Sequence, residues 1–86
     1  MKNESIIIGD EYDNKLINLL FIILKEMGAT KINETEALAG SQDYYLASFN
    51  INNSIITVEI ETYIGITLNG PSELIRIIMD RINNKS

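Results

Sequence analysis

Alternating apolar and polar positions mark two segments in the middle of the chain as neighbouring β-strands. Tyr44–Ile51 and Ser54–Glu61 each follow a period of two, and the Asn52-Asn53 pair between them tolerates the positive φ angles of a type I′ turn. A two-residue loop fixes the register of the two strands. One face of the predicted hairpin then carries three apolar pairs, Phe49 with Ile56, Ala47 with Val58, and Tyr45 with Ile60. This face is predicted to be buried.

The spacing of an amphipathic helix precedes the hairpin. Apolar residues between Leu16 and Met27 cover roughly 200° of a helical wheel, which is more than one face of a sheet requires. Asp10 is the predicted N-cap, and Gly28 suits the left-handed residue that ends a helix. The wide apolar arc predicts either that a sheet and a second helix both pack here, or that one flank is an interface.

The segments on either side of this helix are less regular. Ser5–Ile8 is predicted to be a short first strand, and Thr30–Ile32 a further one. Glu34–Ala39 fits either a turn of helix or an edge strand, and Gly40–Gln42 is predicted to be a turn.

The last third of the chain predicts further extended structure and a second helix. Ser54–Asn69 is expected to be one long strand bent near Gly65, or else two strands with a tight corner. Asn69-Gly70-Pro71 would then open a helix with an apolar face, formed by Leu74, Ile75, Ile78, Met79 and Ile82. These elements predict an α+β fold, with a mainly antiparallel sheet, a central hairpin and two helices packed on one face.

Composition narrows the class of protein. A chain of 86 residues with 45% hydrophobic content predicts one globular domain, residues 1–86. The net charge of -5 disfavours direct binding to nucleic acid and favours basic partners. The absence of histidine and cysteine removes the commonest general base, the thiol nucleophile and the best zinc ligands. With no classical secretion signal and no apolar run of membrane-spanning length, a cytoplasmic location without membrane contact is expected.

The hairpin register also defines the face opposite the predicted core. It places Tyr44 opposite Glu61 and Leu46 opposite Glu59. The predicted partner-binding residues on this face are Gln42, Tyr44, Leu46, Glu59, Glu61 and Tyr63, with Gln42 opposite Tyr63. Tyrosine buries a large area at low entropic cost, and a desolvated carboxylate accepts a bidentate arginine. The alternative is an ordinary solvated face on which the tyrosines cover the backbone.

A second acidic region is formed by Glu34, Glu36 and Asp43. It is either a solvated loop or an extension of the binding surface. Two exposed isoleucines, Ile22 and Ile77, interrupt the polar sides of their helices and together would suit a dimer contact.

Catalysis and metal binding are weakly supported. Glu59 and Glu61 are about 7 Å apart along one face of a strand, a spacing close to that of a glycosidase carboxylate pair. A chain of this length leaves little material for the cleft that such a pair needs. With Asp43 the two glutamates would offer ligands for a hard cation, but they lack the spacing of a calcium loop. We therefore expect no enzyme, no cofactor and no metal site.

The second half of the chain contains three short motifs: Gly40-Ser41-Gln42, Glu59-Ile60-Glu61-Thr62-Tyr63-Ile64-Gly65 and Gly70-Pro71-Ser72-Glu73-Leu74. Together they resemble small bacterial immunity proteins, which neutralise partner toxins in contact-dependent inhibition systems. The resemblance implies a non-enzymatic inhibitor that binds a toxin domain, often a basic nuclease, inside the producing cell. It implies no catalytic residue in this chain.

Three hypotheses about function follow. The first is an acidic protein-binding module, an immunity or inhibitor protein that neutralises a basic toxin domain. The second is a structural or homo-oligomeric module, in which the first helix or a sheet edge pairs two copies. The third is a small ligand-binding protein or enzyme that uses Glu59 and Glu61.

Overall fold

The computed structural model describes residues 2–39 and 42–85, apart from the side chains of residues 38, 39 and 42. The elements in chain order are β1 (Asn3–Gly9), α1 (Asn14–Glu26), β2 (Thr30–Ala39), β3 (Gln42–Ile51), β4 (Ser54–Glu61), β5 (Gly65–Pro71) and α2 (Ser72–Lys85). The five strands form one antiparallel sheet in the order β1-β5-β4-β3-β2. The predicted α+β class is confirmed.

The central β3–β4 hairpin has the predicted register. Phe49 pairs with Ile56, Ala47 with Val58, and Tyr45 with Ile60. The connecting residues Asn52 and Asn53 have φ angles of 49° and 68°, as a type I′ turn requires. Period-two patterning and turn chemistry agree here, and the pairing is therefore specified locally.

Both helices cover the same face of the sheet and bury its apolar side chains. The buried core consists of Leu20, Ile23, Leu24, Ala47, Phe49, Ile51, Ile56, Val58, Ile66, Leu68, Ile75, Ile78 and Ile82. The wide apolar arc of α1 is used on two sides, because α1 packs against α2 as well as against this core. Phe21, on one flank of α1, contacts the rings of Tyr45 and Phe49 at centroid distances of 6.3 and 5.9 Å.

The ends of α1 differ partly from the sequence prediction. Asp13, and not Asp10, is the N-cap, and its Oδ1 accepts from the Leu16 N–H at 3.0 Å. Asp10 instead accepts from the Tyr12 N–H in the preceding turn. At the other end Gly28 has φ 79°, as predicted, while Ala29 N–H donates to the Leu24 carbonyl. None of the helices in the described residues is long and apolar enough to cross a membrane.

The extended structure after the hairpin is two strands with a tight corner, which is the second of the two predicted alternatives. Glu61 pairs with Gly65, and the three residues between them reverse the chain. The Ile64 N–H donates to the Glu61 carbonyl at 3.1 Å, and Tyr63 takes φ 74°. The sequence did not decide between the two alternatives, because no residue of the usual turn types precedes Gly65. Pro71 differs from the prediction, because it ends β5 and α2 begins only at Ser72.

The segment after α1 is a long edge strand. Thr30–Ile32, predicted to be a separate short strand, is the beginning of the ten-residue β2, which pairs along its length with β3. The register shifts once, between Lys31 and Asn33, as in a β-bulge. Of the predicted turn, Gly40 and Ser41 lie outside the described residues, while the backbone of Gln42 already belongs to β3.

Candidate functional site on the open face of the sheet

The face of the sheet opposite the helices, here called the open face, carries two rows of side chains that cross the strands. The strand registers define the members of each row. The first row runs through Ile7, Thr67, Glu59, Leu46 and Thr35. The second runs through Gly65, Glu61, Tyr44 and Ala37. Neighbouring strands lie about 4.8 Å apart, so each row is a continuous surface.

Four of the predicted site residues lie together at the centre of this face. Tyr44 lies opposite Glu61 and Leu46 lies opposite Glu59, and all four side chains are partly exposed. The next pair along the hairpin, Ser48 and Thr57, brings two hydroxyl oxygens to 3.3 Å. The central patch therefore combines an aromatic ring, an aliphatic side chain and two carboxylates. We refer to Tyr44, Leu46, Glu59 and Glu61 as the central patch.

The charge on the open face has one sign. Among the described strand residues on this face, Glu59 and Glu61 are the only charged side chains, and no lysine or arginine lies there. The pKa of Tyr44 is raised, first by partial burial and then by the hydrogen bond and negative charge of Glu59 and the charge of Glu61. Tyr44 therefore stays neutral and can donate its hydroxyl proton.

The other two predicted partner-binding residues are placed differently. Tyr63 does not continue the pairing opposite Gln42, because β4 ends at Glu61 and Tyr63 belongs to the β4–β5 turn. Its side chain is 76% exposed, and its N–H donates to the carboxylate of Glu11 at 2.9 Å. The side chain of Gln42 lies outside the described residues. The sequence prediction extended the hairpin beyond its last pair.

The second acidic region does not extend the open face. Glu34 pairs with Ala47 and Glu36 with Tyr45, so both glutamates lie on the helix side of the sheet. Asp43, two residues before Tyr45 on β3, points to the same side. For the same reason Asp43 does not converge with Glu59 and Glu61. No group of three carboxylates among residues 2–39 and 42–85 is arranged to hold a metal ion.

Glu34 is part of a local network on the helix side of β2. Its carboxylate accepts hydrogen bonds from the Tyr45 hydroxyl and from Lys31 Nζ, the latter at 3.0 Å. The Tyr45 hydrogen bond and then the Lys31 contacts hold the pKa of Glu34 below its ordinary value. Burial and the hydrogen bond with Glu34 raise the pKa of Tyr45. Glu34 therefore remains ionised when the protein is mildly acidified.

A cleft of about 540 Å³ lies on this helix side, beside the start of α1. Tyr45 and Ile60 line it, together with the carboxylate-bearing residues Glu36 and Asp43. Glu11 and Tyr12 also line the cleft, and sequence reasoning missed both. Nothing in the local sequence pointed to them, because their position depends on the contact between Glu11 and the distant β4–β5 turn.

Ile7 and Thr67 are two open-face residues in the row of Glu59 that the sequence did not indicate. They lie beside the central patch because β1 pairs with β5, a contact between distant parts of the chain. Ile7 is 63% exposed and adds apolar area to the row that contains Glu59. The two isoleucines considered for a dimer contact, Ile22 and Ile77, line separate surface grooves.

Comparison of the chain with known protein families, with curated proteins and with solved structures found no match.

Proposed function

We propose that this protein is a non-enzymatic inhibitor that neutralises a basic protein partner, such as a toxin domain, by binding it with the open face of its sheet. The observation that carries the proposal is the central patch. Its two adjacent carboxylates meet no basic side chain on the described part of this face, and they adjoin partly exposed Tyr44 and Leu46. A surface of this kind suits arginine-rich contacts, because a carboxylate can accept a guanidinium in a bidentate geometry.

The charge of the patch also favours a different protein over a second copy of this chain. Two copies stacked on this patch about a two-fold axis would bring Glu59 and Glu61 of one copy against those of the other. Like charges held together in a desolvated interface are destabilising. A basic partner, in contrast, compensates both carboxylates and is attracted from a distance by the net charge of -5.

Capture of the partner tests this function. The tagged chain is expressed in its native host, and proteins that co-purify at equal stoichiometry are identified by mass spectrometry. We expect a basic protein that is retained by the wild type and lost with Glu61→Lys, because the new lysine meets a partner surface of the same sign.

The matched control is Asp80→Lys on α2, which changes the net charge by the same amount on an exposed residue of the helical side. The control should retain the partner. Equal retention by both variants would show that the open face is not the binding site, and capture of only the chain itself would contradict the inhibitor proposal.

A further inference from the structure

β2 is an edge strand, and no strand among the described residues pairs with its outer side. It pairs only with β3 in the sheet order, and all side chains from Thr30 to Ala37 are exposed. Natural proteins protect such edges with proline, lysine or bulges. In β2 the register shift and Lys31 lie near the beginning of the strand. The segment 33–37 contains no proline, glycine or lysine and pairs regularly with β3.

The register identifies which backbone groups of β2 point to the free edge. In the two-residue β3–β4 hairpin, Ile51 and Ser54 flank the loop and form a hydrogen-bonded pair. Hydrogen-bonded pairs alternate along antiparallel strands, so every second β3 residue from Ile51 back to Tyr45 has its N–H and C=O groups bonded to β4. The residues between them, including Leu46, bond to β2, where Leu46 pairs with Thr35. Glu34 and Glu36 therefore direct their N–H and C=O groups away from β3, towards solvent.

The side chains next to these free groups disfavour a second copy of this chain paired about a two-fold axis at residues 34–36. If two β2 strands paired antiparallel about a two-fold axis at Thr35, Glu34 of one copy would lie opposite Glu36 of the other. An axis at either glutamate would place that residue opposite itself. Like charges directly opposite each other destabilise a pair of strands. A strand with basic residues at alternate positions meets complementary charge at Glu36, and at Glu34 it shares the carboxylate with Lys31.

We infer that the outer edge of β2 is a second contact with the basic partner, which adds an extended basic segment antiparallel to residues 33–38 as a sixth strand. The inference rests on the basic partner of the proposed function. The lysines or arginines of the added strand lie on the helix side opposite Glu34 and Glu36, and small residues lie on the open side next to Thr35 and Ala37. Main-chain hydrogen bonds from Glu34 and Glu36 hold the strand, as in other cases of β-strand addition.

The test uses a short acetylated and amidated peptide in which lysine alternates with threonine and valine. Residues directly opposite Glu34 and Glu36 must be the lysines, so the lysine N–H groups point to β2. One control peptide is methylated at the backbone nitrogen of every lysine. The other is methylated at the backbone nitrogens of the same number of threonines and valines. The two controls have the same charge and the same number of methyl groups, but only the first blocks hydrogen bonding to β2.

Binding is followed by NMR through the amide hydrogen exchange of Glu34 and Glu36. We expect the parent peptide and the threonine/valine-methylated control to slow both amides by roughly tenfold at saturation, and the lysine-methylated control to have no such effect. Equal binding by the two controls, or unchanged exchange at both glutamates with the parent peptide, would overturn the inference.

Two variants of the chain separate the backbone contribution from the charge. Glu36→Thr removes the carboxylate and keeps the N–H, whereas Glu36→Pro removes both and leaves the β2–β3 hydrogen bonds intact, which an edge strand tolerates. We expect the proline variant to bind the peptide about tenfold more weakly than the threonine variant. Equal affinities would contradict strand addition.

These experiments are independent of the test of the open face. Glu61→Lys should still bind the peptide, since Glu61 is on the other face of a central strand. If the peptide does not bind the β2 edge, the result of partner capture still tests the open face. If no partner is captured, the peptide experiment still tests strand addition.

Discussion

Single residues in the turns align the strands that form the open face. Asn52 and Asn53 supply the positive φ angles of the β3–β4 turn, and these residues made the register predictable from the sequence. In the β4–β5 turn a positive φ falls on Tyr63, a residue type that gives no turn signal, and on Gly65 at 113°. The sequence therefore could not distinguish this turn from a bend in one long strand, although it identified Gly65 as the point of change.

Gly65→Ala should destabilise the fold by at least about 2 kcal/mol, measured by chemical denaturation. The φ angle of 113° is unfavourable for alanine, and a Cβ atom would overlap the Gly9 carbonyl oxygen. Gly28→Ala is the control, because φ there is 79° and the Cβ atom would meet nothing within 4 Å. The control should cost about 1 kcal/mol. Equal losses for the two variants would show that the contact with Gly9 is relieved at no cost.

At the level of elements, the strands with one buried face could be predicted from the sequence, and the exposed edge strand could not. β3 and β4 are central strands with one buried face, so their apolar residues alternate and their pairing could be derived. β2 carries Lys31, Glu34 and Glu36 on the helix side, where an alternating pattern requires apolar residues. Its exposed edge position removes the periodic signal, which is why a helical turn and an edge strand could not be distinguished.

The N-terminus of α1 gives a direct check on a corrected assignment. Asp13→Ala should cost about 1 kcal/mol in the free energy of unfolding, because the Leu16 N–H loses its capping carboxylate. Asp13→Asn should be nearly neutral, since asparagine is an equally good N-cap. A loss of stability with Asp10→Ala but not with Asp13→Ala would restore the sequence prediction that Asp10 is the N-cap.

The candidate site was predictable where it depends on the hairpin and not beyond it. Tyr44, Leu46, Glu59 and Glu61 follow from the β3–β4 register alone. Ile7 and Thr67 could not be included, because the pairing of β1 with β5 joins distant parts of the chain and leaves no local pattern. Whether Glu34 and Glu36 extend the binding surface stayed open, since their face depends on the pairing of β2 with β3.

On the scale of the whole molecule, charge is distributed unevenly between the two layers. Five of the seven lysines and arginines, Lys15, Lys25, Arg76, Arg81 and Lys85, lie in α1 and α2. Among the described strand residues of the open face, only Glu59 and Glu61 are charged. A basic partner therefore meets carboxylates without a neighbouring cation on the open face, whereas the carboxylates of α1 and α2 are interspersed with lysines and arginines. This asymmetry is the physical basis of the proposed orientation in the complex.

The most direct measurement of this claim is the dissociation constant of the captured partner with two charge-matched double variants. Glu59→Gln/Glu61→Gln removes two carboxylates from the open face, and Glu73→Gln/Asp80→Gln removes two exposed carboxylates from α2. We predict that the open-face variant binds at least about tenfold more weakly, with a reduced dependence on salt, and that the α2 variant binds like the wild type. Equal weakening by both variants, or a larger loss with the α2 variant, would contradict recognition by the open face.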